Sequence, residues 1–158
     1  MIIILIDGQS GSGKTTLARQ LATETGFQLV HLEDFYPGWS GLAEASRMVV
    51  DDVLHPTRPG FWRWDWEQNR RAGWVDIRPR ASLIIEGCGA VTEASISTAA
   101  TLGTVITVRL TGPEDLRRER ALTRDPDYAP WWEMWAAQER EHFTGPGDVP
   151  VDHVLGWS

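Results

Sequence analysis

The sequence predicts a three-layer α/β domain with a parallel sheet, on three observations. Residues 1–7 (MIIILID) form an unbroken run of β-branched and aliphatic residues, as expected of a strand buried on both faces. Shorter apolar runs of the same kind recur along the chain, and stretches with helical spacing separate them. With 158 residues, 42% hydrophobic and 23% charged, the chain has the size of one domain covering 1–158, and collagen-like, low-complexity and disordered classes are excluded.

Each element follows in order. After the first strand and a glycine-rich turn, residues 14–25 read as a helix with Leu17, Ala18, Leu21 and Ala22 on one face and Gly26 as its stop. Residues 27–32, 81–86, 103–110 and 151–155 read as further strands, and 41–53, 90–100, 113–124 and 130–143 as helices. The stretch 54–80 is irregular and too long to be structureless inside a compact domain. Within it, Asp65 and Gln68 have the spacing of a capping box, which predicts a short helix ending at Gly73.

Charge and cysteine usage narrow the partners. The formal net charge is −7, so the overall field opposes nucleic acid and anionic membranes, and an anionic ligand must be held locally. Lys14 is the only lysine. The apolar opening run is too short to span a bilayer and lacks a basic flank, and the single Cys88 agrees with a reducing compartment, so the expected location is the cytoplasm. The four histidines have no metal-ligand spacing.

Residues 8–15 (GQSGSGKT) match the phosphate-loop pattern in full and lie between a strand and a helix, the context that the mechanism requires. Such a loop turns successive N–H groups toward phosphate oxygens at a helix N-terminus. The candidate nucleotide-binding residues are Gly8, Ser10, Gly11, Ser12, Gly13, Lys14, Thr15 and Thr16. Lys14 is placed to bridge the β- and γ-phosphates of ATP, and the Thr15 hydroxyl to ligate Mg2+. A dinucleotide site is disfavoured, because the run has no third glycine and a lysine at its centre.

Ligands of such folds bind beyond the carboxyl ends of the strands, which draws attention to the acids there. Asp34, in the segment Leu32-Glu33-Asp34-Phe35-Tyr36, can accept the proton of an attacking hydroxyl, and Tyr36 is a candidate substrate contact. Glu86 ends the third strand and is a candidate magnesium ligand with Thr15. Asp7 precedes the phosphate loop and is expected only to brace its backbone. Farther on, Arg117, Arg120 and Arg124 fall within a sector of about 60° on one helix face, as suits a triphosphate whose charge must be neutralised, or else a solvated helix with Glu and Arg pairs. Few apolar residues accompany them, as a mobile lid over 111–130 would require.

The string Phe61-Trp62-Arg63-Trp64-Asp65-Trp66 joins stacking faces to fixed donors, which suits a planar base or a sugar with an anionic group; plain packing is the alternative. Arg63, Trp64 and Asp65 are the candidate substrate contacts in a substrate region over 34–80. The six arginines from Arg58 to Arg80 also suit a phosphorylated substrate. Trp131, Trp132 and Trp135 are assigned to packing.

Four segments together, GQSGSGKTTLA at 8–18, LEDFY at 32–36, LIIEG at 83–87 and RRERALTRD at 117–125, resemble the uridine kinase and phosphoribulokinase group of P-loop kinases. The resemblance implies a P-loop NTPase fold with a five-stranded parallel sheet and a helical lid, and an ATP- and magnesium-dependent kinase of a small molecule. It implies Asp34 as the base, Glu86 assisting magnesium, and the arginines ahead of Asp125 in the lid, with Arg120 and Arg124 acting in catalysis beside Lys14. Where that group usually has two aspartates, this chain has Glu33-Asp34. A nucleoside is the expected acceptor; alternatives are a nucleoside monophosphate, a sugar or an acid, or a regulatory ATP-binding protein without an acceptor.

Overall fold

A computed structural model describes residues 1–157. Five parallel strands, β1 (Ile2–Gly8), β2 (Gln28–His31), β5 (Leu83–Glu86), β6 (Thr104–Thr111) and β7 (His153–Gly156), lie in the order β2-β5-β1-β6-β7. The remaining two, β3 (Gly60–Asp65) and β4 (Arg70–Asp76), form a separate antiparallel hairpin. Five α-helices accompany them: α1 (Lys14–Thr25), α2 (Leu42–Met48), α3 (Glu93–Ala100), α4 (Glu114–Arg124) and α5 (Trp132–Phe143).

The apolar strands are continuous because the sheet is covered on both sides. Ile3, Leu5, Leu83 and Ile85 face one core with Phe35, Val91 and Trp132, while Ile4, Ile6 and Ile84 face the other with Ala18 of α1. Burying each such aliphatic side chain contributes about 1.5–3 kcal/mol, so alternate positions of one strand stabilise both layers. The predicted apolar face of α1 is the one that packs, with Leu17, Leu21 and Ala22 against this second core. No helix among the described residues is long and apolar enough to cross a membrane.

Two predicted elements take another form. The helix expected over 41–53 is α for seven residues and continues as one π turn, Val49–Val53. The stretch 54–80 contains the β3–β4 hairpin, where the capping-box spacing predicts a helix. Asp65 does accept hydrogen bonds from the N–H groups of Glu67 and Gln68, but it closes a turn between strands instead of opening a helix. The pairing of Trp62 with Trp74, with ring centroids 5.3 Å apart and nearly perpendicular, holds the strands together, and a bulge interrupts the ladder between Trp62 and Trp64.

The strand register positions the site. Glu86 pairs with Ile6 of β1 on one side and His31 of β2 on the other, so the ends of three strands converge just below the phosphate loop.

Candidate active site

The phosphate loop takes its shape from glycines at positive φ. Gly11 has φ +77°, and a Cβ there would lie 2.1 Å from the main-chain oxygen of Arg117, so no other residue fits without moving α4. Gly13, at φ +99°, leads into α1 with no side chain capping the helix and no acid in its first turn. The first N–H groups of α1 are therefore open to an anion, and the loop fits a nucleotide phosphate. Lys14 Nζ donates to the main-chain oxygen of Gln9 at 3.0 Å, within the loop it is expected to serve.

Asp7 braces this loop from below. Oδ1 accepts from the N–H groups of Gly8 (2.7 Å) and Gly89 (3.1 Å). Oδ2 takes the N–H of Val91 at 2.9 Å and lies 2.8 Å from His142 Nε2. A fully buried carboxylate is tolerated here because four groups satisfy it. Ser10 is tied from three further sides. Its N–H is shared by both oxygens of buried Glu139, its hydroxyl meets Tyr128 Oη at 2.8 Å, and its carbonyl accepts from Arg117 Nη1 at 3.3 Å. Burial raises the Glu139 carboxyl, against the lowering influence of Lys14 and the Ser10 N–H.

Beside the loop, Glu86 accepts the Thr15 hydroxyl at 2.9 Å and contacts His31 Nδ1. Burial by itself would raise the Glu86 carboxyl; the His31 hydrogen bond, the Lys14 charge and the Thr15 hydroxyl hold it below its ordinary value. Asp34 lies one turn beyond His31, at the end of a short 3-10 segment, Leu32–Asp34. Its carboxyl is raised by partial burial and by the Glu86 charge, while His31 and Arg63 pull it down.

The phosphate loop and Glu86 open onto a cleft of about 730 Å³; Asp34, the expected base, is not among its lining residues, although its neighbour Glu33 is. Lys14, Thr15, Thr16 and Glu86 line it, together with Arg120 and Arg124 of α4. The three expected lid arginines therefore have different surroundings. Arg117 is buried and spends its guanidinium on the carbonyls of Gly112 and Ser10, so it fastens α4 to the loop. Arg120 lies over the Trp157 ring, 4.6 Å from its centroid, while Trp157 Nε1 donates to the carbonyl of Ser12. Arg124 faces the cleft. Buried Ser12 Oγ is left without a partner under the loop.

Much of the cleft wall is aromatic: Tyr36, Trp39, Trp66, Tyr128, Trp131 and Trp135 line it. The Tyr36 hydroxyl is committed to the carbonyl of Cys88 at 2.7 Å and its ring packs edge-on against Trp135. Arg63, Trp64 and Asp65 do not line the cleft, whereas their successors Trp66 and Glu67 do. Of the tryptophans assigned to packing, Trp132 and Trp135 are buried, while Trp131 is 41% exposed and faces the cleft. Glu33, which stands with Asp34 among the acids after the second strand, and Trp66, from the aromatic string, line the cleft; sequence reasoning missed Trp39 and Glu67 in its lining, and His31, Glu139 and His142 outside it. Only the string of aromatic residues before Glu67 signals any of them in the sequence.

No family model matches this chain, and no curated protein does. Solved structures do share its fold. A shikimate kinase from Bacteroides thetaiotaomicron superposes with a TM-score of 0.57 at 17% identity, over 98% of this chain and 86% of that one. A possible uridine kinase from Bacillus stearothermophilus gives 0.55 at 18%, over 98% and 88%. A sugar kinase from Janibacter sp. HTCC2649 gives 0.54 at 17%, over 99% and 82%. The chain has the α/β fold of the P-loop small-molecule kinases, with the five-stranded parallel sheet that its sequence predicts.

Proposed function

We propose that this protein is an ATP-dependent phosphotransferase of the cytoplasm that moves the γ-phosphoryl to a hydroxyl of a small molecule, with a nucleoside as acceptor. The observation that carries this reading is the convergence of Lys14, Thr15 and Glu86 on one cleft that aromatic rings also line. The kinases that share the fold support the reaction type; their acceptors differ from one another. The aromatic wall supports an acceptor with a planar ring.

In this reading Lys14 and the N–H groups from Gly11 to Thr16 hold the triphosphate. Thr15 and Glu86 hold magnesium together with the phosphates. Magnesium, when bound, draws charge away from the phosphate oxygens. Asp34 takes the proton of the acceptor hydroxyl as its oxygen attacks, and Arg120 and Arg124 offset charge as the β–γ bond breaks. The segment 111–130 serves as the lid, with Arg117 as its fastening to the loop.

The test is ATP consumption with magnesium against nucleosides, nucleotides, sugars and small acids, with Lys14→Ala as the blank. Nucleoside-dependent ADP formation above the blank is expected. ATP binding without acceptor-dependent turnover anywhere in the panel would overturn the reading in favour of a regulatory ATP-binding protein.

A further inference from the structure

A second cavity, of about 990 Å³, shares no lining residue with the cleft. It opens between α2 with its π turn, the start of α3, and α5 with the loop that follows it. Two of its lining residues reach Asp7, the carboxylate that braces the phosphate loop. His142 Nε2 lies 2.8 Å from Asp7 Oδ2. Ser46 donates to the carbonyl of Gly89 at 2.8 Å, and the Gly89 N–H donates in turn to Asp7 Oδ1.

Asp7 already accepts three N–H groups, so His142 Nε2 is the donor in their contact. In the neutral ring Nδ1 is then an acceptor, and no group among the described residues donates to it. Unlike Ser12 Oγ, this nitrogen is not wholly buried, so a donor can reach it. The rest of the ring is closely packed: His142 is 4% exposed, and a Cβ on Gly147 would stand 2.3 Å from Nε2. The cavity therefore offers a fixed acceptor that lacks its donor.

The other lining residues say what kind of molecule that donor belongs to. Arg47 is the one lysine or arginine among them, and Glu44 and Asp51 take its guanidinium. The carboxylates of Glu93, Glu141 and Asp148 have no ion-pair partner among the described residues. Arg109, which is not in the lining, donates to the carbonyls of Gly147 and Val149. Leu42, Val50, Met134, Pro146 and Val149 supply apolar surface. A molecule with an N–H donor, a positive charge and an apolar body matches all of these, and the cavity has the volume to hold one of metabolite size. An anion would meet three unpaired carboxylates.

We propose that this cavity binds a protonated organic amine, which donates to His142 Nδ1, and that its occupation tightens nucleotide binding at the phosphate loop. The path is short. The amine holds the tautomer and orientation in which Nε2 donates to Asp7, and Asp7 holds the N–H of Gly8. A firmer brace leaves less of the loop to be ordered when ATP binds. By linkage, ATP strengthens amine binding by the same factor. The effect requires that the phosphate loop bind ATP, as the proposed function holds, and involves no transfer step.

The test is calorimetric titration of the whole protein with tryptamine and with its anionic counterpart indole-3-propionate. Magnesium and a non-hydrolysable ATP analogue are then titrated with and without saturating tryptamine. Tryptamine should bind with a Kd of about 1 mM or below, roughly tenfold tighter than the acid. Saturating it should lower the Kd of the ATP analogue about fivefold, with the reciprocal shift for tryptamine. In Glu93→Gln/Asp148→Asn, tryptamine should bind about fivefold more weakly. In Ala94→Trp, whose ring would fill the cavity, tryptamine binding and the coupling should both vanish, while the ATP analogue alone still binds. All three positions are exposed, so both variants should keep their Tm, which verifies that they are folded. Absence of tryptamine binding, equal binding of the acid, or binding that survives in Ala94→Trp would overturn the site. Tryptamine binding that leaves the affinity for the ATP analogue unchanged would overturn the coupling. An ATP analogue that does not bind at all would overturn the phosphotransferase reading and the coupling with it, and tryptamine titrated alone would then decide the site.

Discussion

His31 and Glu86 are register partners across the β2–β5 pairing, and Nδ1 of the histidine lies 2.5 Å from Oε1 of the glutamate. The same oxygen accepts the Thr15 hydroxyl, so one buried carboxylate joins the ends of two strands to the start of α1. The pair is mutually reinforcing: the hydrogen bond to Glu86 raises the imidazole, and the imidazole helps to hold the carboxyl down. In consequence a charged, oriented acid stands beside the phosphate loop before any ligand arrives.

Replacing Glu86 by Gln keeps the shape and removes the charge. The expected outcome is a fall in kcat of about 100- to 1000-fold, with a higher magnesium requirement. Steady-state rates over a magnesium titration check it, and an unchanged magnesium dependence would remove Glu86 from the metal site.

In the proposed mechanism, Asp34 as the base sets a pH limb. A base must be deprotonated, and burial raises this carboxyl, so kcat/KM should be full above the raised value and fall as pH drops through it. Arg63 pulls the same carboxyl down, so Arg63→Ala should move the acidic limb to higher pH. Asp34→Asn should abolish transfer and leave ATP affinity nearly intact. Loss of ATP binding in that variant would point to a metal role instead.

Gly11→Ala tests the fit of the loop against α4. The added Cβ would meet the Arg117 carbonyl at 2.1 Å, and Arg117 is itself held by Gly112 and Ser10. Overpacking and a left-handed backbone together should cost about 2–5 kcal/mol, measured by urea denaturation, with ATP binding lost as well.

Glu139→Ala leaves the Ser10 N–H without its buried acceptor. Stability should fall by about 1–3 kcal/mol, and ATP should bind about tenfold more weakly as the loop loosens. Tyr128→Phe removes only the hydroxyl contact with Ser10 and should cost about 1 kcal/mol. Calorimetric titration with ATP and denaturant melts of both variants give the two numbers.

The phosphate loop and the parallel strands were determined by the sequence alone. Residues 8–15 hold within eight positions the glycines that allow positive φ and the residues suited to phosphate, while continuous apolar runs announce strands covered on both faces. The tertiary structure decided the rest. Asp65 accepts the same backbone bonds whether it starts a helix or closes a turn, and the pairing of β3 with β4 on either side of it makes it a turn. Helical spacing puts Arg117, Arg120 and Arg124 on one face, yet contact with the Ser10 carbonyl buries the first and leaves Arg124 facing the cleft. Glu139 and His142 look like ordinary polar positions of α5, and their partners Ser10 and Asp7 lie 129 and 135 residues away. Backbone preference is local and can be read from a few neighbours. Which buried charge meets which partner depends on how distant segments pack, and no window of the sequence contains that information.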